Sequence, residues 1–154
     1  MIKAVIIDDE KNALEVLEMQ LNQFCKEVTV LATCNGGKEG VKAIKELQPD
    51  LVFLDIEMPH INGFDVLEQT KELNYKVIFT TAYDQFAIKA FKFSAIDYLL
   101  KPIDIVDLQN AVEKAKRETN TYSLEDKIKL LVNQYYPQKN RQKVALPVGN
   151  MLEF

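Results

Sequence analysis

Two adjacent aspartates, Asp8 and Asp9, end an apolar run in "VIIDDE", and a third, Asp55, ends another in "LVFLD". Thr81 closes "KVIFTT", and Lys101 follows "AIDYLL". Brought together, these residues would place three carboxylates, a hydroxyl and an ammonium at one point. Carboxylates that crowd repel strongly unless a cation sits between them. Few, rigid oxygen ligands with room for water suit Mg2+. The chemistry that needs such a set is phosphoryl transfer to a carboxylate. Nucleophile and phosphoryl group are both negative, so a divalent cation must screen them, while a lysine and a hydroxyl hold the phosphoryl oxygens. On this logic Asp55 is the acceptor, Asp8 and Asp9 are the metal side, and Thr81 and Lys101 complete the cage. Each residue also has a plainer reading. Asp8 and Asp9 can cap the helix that follows, Thr81 is a common strand residue, and Lys101 can be surface charge. Asp55 is harder to dismiss, because a carboxylate ending "LVFL" is on the brink of burial and needs a partner.

The elements that would position these residues alternate along the chain. "KAVII" reads as a strand, followed by a helix with Leu14, Leu17, Leu21 and Phe24 on one face. "VTVLATC" is a second strand, closed by Asn35, Gly36 and Gly37. Val41, Ile44 and Leu47 mark the next helix, which Pro49 and Asp50 stop before "LVFLD". The loop "IEMPHING" leads to a short helix with Phe64, Val66 and Leu67, and "KVIFTT" is the fourth strand. Ala87, Ala90 and Phe91 mark a small helix before "AIDYLL", and Ile105, Leu108, Val112 and Ala115 a further one after Pro102. Strands without polar alternation imply a parallel sheet covered on both faces. Right-handed crossovers then make the α/β doubly wound arrangement the default, and its strand C-termini share one edge where ligands bind.

Composition excludes several classes. The 154 residues are 47% apolar, enough for a core, and the net charge of −4 argues against a nucleic-acid surface over most of the chain. No window has the length and apolarity of a membrane span, and "MIKAVIIDDE" lacks the features of a signal peptide, which points to the cytoplasm. Cys25 and Cys34, without CxxC spacing, read as buried reduced thiols. Past residue 119 the rhythm changes. "SLEDKIKLLVNQYY" reads as a helix with Ser123 as N-cap and Asp126 three residues on, "PQKNRQK" as a polar linker, and "KVALPVGNMLEF" as a hairpin around Gly149 and Asn150. The expected organisation is residues 1–118 as one domain, 119–143 as helix and linker, and 144–154 as the first residues of a second domain, truncated here.

"VIIDDE", "LVFLDIEMP", "GFDVL", "VIFTTAY" and "YLLKP" resemble, in order and spacing, the CheY-like receiver domain of response regulators over about residues 2 to 117. The resemblance implies a flavodoxin-like five-stranded sheet of order 2-1-3-4-5. It implies that a sensor histidine kinase phosphorylates Asp55, that Asp9 and Asp55 ligate Mg2+ directly, that Asp8 helps through water, and that the Glu57 carbonyl is a further ligand. Thr81 would be the switch hydroxyl, Tyr98 the rotating aromatic and Lys101 the phosphoryl clamp, with a cis peptide before Pro102. Glu57 and Tyr83 stand where the family tunes phosphate lifetime. "FTTAYDQFAIKAFKFSAIDYLLKPI" and "KVALPVGNMLEF" further resemble the LytTR class, whose output domain binds DNA. The implied protein is a two-component switch for transcription rather than an enzyme, and the phosphorylated form is expected to dimerise through residues 84 to 117. Phe91, Phe93, Lys89, Lys92, Asp97, Asp107 and Glu113 would lie on that face.

Other readings are weaker. An aspartyl-phosphate phosphatase of the haloacid dehalogenase type needs a DxD after the first strand, which Asp8, Asp9 and Glu10 do not supply. An FMN binder needs a phosphate-cradling loop there, and "DDEKNA" would repel that group. A pure interaction module with a decayed pocket should have lost at least one marker. His60 reads as a solvated loop residue, and Tyr135 and Tyr136 as packing or contact residues.

Overall fold

The computed structural model describes residues 1–82 and 97–117. The expected helix around Ala87 to Phe91, the start of "AIDYLL" and everything read after Arg117 lie outside the described residues. The elements are β1 (Ile2–Asp8), α1 (Lys11–Phe24), β2 (Val28–Asn35), α2 (Gly37–Leu47), β3 (Leu51–Asp55), α3 (Gly63–Gln69), β4 (Lys76–Thr81), β5 (Asp97–Leu100) and α4 (Ile105–Arg117). The five strands form one parallel sheet of order β2-β1-β3-β4-β5.

The core divides by strand alternation. Val5 and Ile7, Val52 and Leu54, and Val77 and Phe79 turn to one face, where Val41 and Ile44 of α2 and Phe64, Val66 and Leu67 of α3 cover them. Ala4 and Ile6, Leu51 and Phe53, and Ile78 turn to the other, under Leu14, Leu17 and Leu21 of α1 and Leu108, Ala111 and Val112 of α4. Both faces of β3 are buried, which is why its sequence shows no polar alternation. Both cysteines are free and buried. Burial, then Glu39, pushes the Cys34 thiol up to about 11, which disfavours the thiolate.

Two expected core residues face out. Phe24 and Leu47 are 42% exposed. Each is the last residue of its helix, and Cys25, one residue past Phe24, takes the core position instead. The second strand also holds a bulge: Ala4 pairs with Val30 and Val5 with Ala32, so Leu31 is skipped. The bulge lies on an edge strand, where it discourages pairing with another chain.

Candidate functional site

Neither Asp8 nor Asp9 caps α1. Its N-cap is Glu10, whose side chain makes no capping bond. The Glu10 N–H instead donates to Asp8 Oδ1 at 3.0 Å, fixing that carboxylate over the end of β1. Strands β1 and β3 are neighbours in the sheet, so their last residues bring Asp8 and Asp55 to one edge. One carboxylate oxygen from each of Asp8, Asp9 and Asp55 lies within 4.8 Å of the others. Asp8 and Asp55 are buried, and Asp9 is half-buried.

The fourth charge comes from Lys101, one residue past β5. Lys101 Nζ lies 2.7 Å from Asp8 Oδ2 and 3.6 Å from Asp55 Oδ1, so in this geometry Asp8 is its closer partner. The Lys101 N–H donates to the Thr81 carbonyl at 2.8 Å, and the Lys101–Pro102 peptide is cis. Burial works against the Lys101 charge. The hydrogen bond to Asp8 and the charges of Asp55, Asp8 and Glu10 outweigh it and raise the pKa. For Asp55, burial first and the Asp8 charge second push the pKa up to about 7, against the opposing pull of Lys101. One lysine does not neutralise three acids.

The loop between β3 and α3 is held by backbone. Gly63 N–H donates to the Ile56 carbonyl at 2.9 Å, and a Cβ on Gly63 would come within 2.6 Å of the Asp55 carbonyl oxygen. Asn62 and Asp65 form a capping box at the start of α3: the Asn62 side chain accepts from Asp65 N–H, and Asp65 accepts from Asn62 N–H. The Asn62-x-x-Asp65 spacing is the sequence signal for this box. Glu57 lies in this loop with an exposed side chain. His60 is exposed and adopts φ +68°.

Thr81 is buried at the end of β4. The register pairs Phe79 with Tyr98 and Thr81 with Leu100, so alternation sets Thr81 on the same sheet face as half-buried Tyr98. Its neighbour Thr80, a buried hydroxyl that the sequence reading passed over, is the register partner of Asp55. Tyr83 lies outside the described residues.

The donor set fits Mg2+. All three side chains offer hard oxygen ligands at an open edge, and burial first, then the neighbouring Asp8 charge, makes Asp55 resist ionisation where no cation is bound. No helix among the described residues is long and apolar enough to cross a membrane.

Comparison with known proteins agrees with this arrangement. Residues 4–113 match the family model described as the response regulator receiver domain. Over 119 residues the chain is 41% identical to an uncharacterized response regulatory protein of Yersinia pestis, covering 77% of this chain and 50% of that protein. It is 40% identical over 119 residues to the transcriptional regulatory protein BtsR of Escherichia coli, covering 77% and 49% respectively. The chain thus spans about half the length of the curated relatives it matches. Among solved structures, the receiver domain of AraT, a response regulator from Geobacillus stearothermophilus, superposes with a TM-score of 0.64 at 31% identity, covering 75% of this chain and 92% of that one. The strand order, the three clustered aspartates and the matched span lead to one conclusion: this chain belongs to the response regulator receiver domain family.

Proposed function

We propose that Asp55 accepts a phosphoryl group from the phosphohistidine of a sensor kinase in the cytoplasm. The P–N bond breaks, a P–O bond to the Asp55 carboxylate forms, and the released imidazole takes up a proton. Asp8, Asp9 and Asp55, with the Glu57 backbone carbonyl, would hold Mg2+, which when bound screens the approach of the anionic phosphoryl group. Lys101 supplies a fixed positive charge for the phosphoryl oxygens, and Thr81 a hydroxyl. The observation that carries this reading is the meeting of three carboxylates with one lysine at the β1/β3 edge. Family membership favours it over the phosphatase reading.

The output reading is transcription control. A Thr81 hydroxyl drawn to the phosphoryl group vacates space toward which Tyr98, on the same face, can turn, so a local charge event repacks the β5 surface. The phosphorylated form then dimerises through residues 84 to 117. Within the described part of that face, Asp107 and Glu113 of α4 are exposed, and Glu113 already pairs with Lys116 and Arg117 at 3.6 and 3.8 Å. Residues 144–154 open a LytTR-like DNA-binding domain in the full-length protein, joined through 119–143, and dimerisation sets two such domains on adjacent half-sites.

Intact mass spectrometry with acetyl phosphate tests the chemistry. The protein should gain one phosphoryl mass with Mg2+ and none in chelator. Equal labelling under both conditions would refute the metal-dependent site. Sedimentation of the labelled protein tests the output: a monomer at full modification would refute dimerisation.

A further inference from the structure

The two glycines that close β2 touch both acid-bearing segments. Gly36 N–H donates to the Asp8 carbonyl at 3.0 Å and shares the bond with the Cys34 carbonyl at 3.2 Å. Its φ is +106°, a conformation that side chains rarely adopt, although a Cβ there would meet no atom within 4 Å. Glycine is required at 36 by the backbone angle rather than by space. At Gly37 the requirement is space. A Cβ there would sit 2.6 Å from the Ile61 carbonyl oxygen, 2.7 Å from Ile61 Cγ2 and 2.9 Å from Ile61 Cβ. Ile61 belongs to the loop that follows Asp55, and its own N–H is tied to the Pro59 carbonyl at 2.7 Å. Helix α2 starts at Gly37, and the Gly40 N–H to Gly36 carbonyl bond makes the pair part of its first turn. A single rigid helix end thus braces the carbonyl of Asp8 on one side and the loop after Asp55 on the other.

We propose that Gly36 and Gly37 are positioning residues of the carboxylate site, setting the separation between Asp8 and the Asp55 loop, and with it the affinity for a divalent cation. The inference rests on the metal-binding reading given above. Neither glycine offers a side chain to a ligand, so both act only through Asp8 and through Ile61. A Cβ at 37 must displace a backbone oxygen, which cannot swing aside as a side-chain end can. The displacement passes along the short loop to the residues that flank Asp55.

The test compares Gly37→Ala and Gly36→Ala with Ile44→Val, a core lesion about two turns further along the same helix. Calorimetric titration of Mg2+ into metal-free protein should show binding weakened about tenfold or more in both glycine variants, as for other residues that orient ligands. Amide exchange at Gly63, whose N–H holds the same loop to Ile56, should speed up in metal-free Gly37→Ala. Ile44→Val should lower the melting temperature and leave both readouts at wild-type values. Wild-type affinity and exchange in Gly37→Ala, or equal losses in Ile44→Val, would overturn the proposal. If Gly37→Ala does not fold, Ile61→Ala loosens the same contact from the loop side: weakened Mg2+ binding supports the brace, and wild-type binding overturns it. Wild-type protein that takes up no Mg2+ would defeat the metal-binding reading itself, and this inference with it.

Discussion

Asp50 and Asp55 stand at opposite ends of β3 and live under opposite conditions. Asp50, one residue before the strand, is exposed and fully engaged. Its carboxylate accepts the Lys3 N–H at 2.9 Å, its own N–H donates to the Lys3 carbonyl, and its carbonyl accepts the Lys76 N–H. It staples together the starts of β1, β3 and β4. At the same edge the Lys76 ammonium reaches the Ala115 carbonyl near the end of α4. Asp55 ends the strand 5% exposed, beside two more acids, with its pKa pushed up to about 7 by burial and by Asp8. The same residue type is a hydrogen-bonded fastening at one edge and a carboxylate that resists its own charge at the other. Under the proposed function, what separates the structural acid from the acceptor is how much of its electrostatic demand the fold leaves unmet.

The largest expected effect breaks this comparison or confirms it outright. Asp55→Asn should gain no phosphoryl mass from acetyl phosphate and Mg2+, whereas Asp50→Asn should label like wild type and lose about 1 kcal/mol of stability or less, because its amide oxygen can still accept from Lys3. Labelling of both variants would erase the distinction. Next in size, Asp9→Ala should weaken Mg2+ binding about tenfold or more by calorimetry, since it removes one of few oxygen donors at that edge. Unchanged affinity would remove Asp9 from the site.

Lys101→Ala should still accept a phosphoryl group, more slowly, but amide exchange across β5 and Tyr98 should no longer respond to it. A normal response would strip Lys101 of its coupling role.

The smallest effect is on stability against pH in metal-free protein. The folded-state pKa of Asp55, about 7, lies above the ordinary carboxylate value, so the folded chain holds that proton more tightly than the unfolded chain. The stabilising contribution is complete below about pH 4 and is lost as the pH rises through 7. After allowance for solvent at the open edge, melts in chelator should show the protein about 1–2 kcal/mol more stable at pH 5 than at pH 8 from this group. Asp55→Asn should flatten the profile. A wild-type profile as flat as that of the variant would mean that Asp55 is not strained.

The acid edge was legible in the sequence because each marker residue terminates an apolar run, and a parallel sheet brings such ends together whatever the intervening loops do. The five strands were legible for the same reason, with the described part of β5, Asp97–Leu100, inside the expected run. Phe24 and Leu47 misled because each keeps the spacing of its helix's apolar stripe yet is the helix's last residue, and spacing does not show where cover along the helix axis ends. The Leu31 bulge leaves no mark in an edge strand whose exposed positions already mix polar and apolar residues. The closer approach of Lys101 to Asp8 than to Asp55 depends on side-chain reach across two strands, which spacing along the chain does not encode. Gly36 and Gly37 read only as turn residues, because what they touch is 28 residues back and 24 residues on.

The central claim is that one carboxylate among several at the edges of this sheet is the acceptor, and borohydride trapping tests it directly. Reduction of an acyl phosphate converts the modified aspartate to homoserine, and peptide mapping then reports which residue carried the group. Protein treated with acetyl phosphate and Mg2+ should carry homoserine at position 55, with Asp8, Asp9 and Asp50 intact. Homoserine at any of those three positions, or none at 55 in protein whose mass shows the phosphoryl group, would contradict the account.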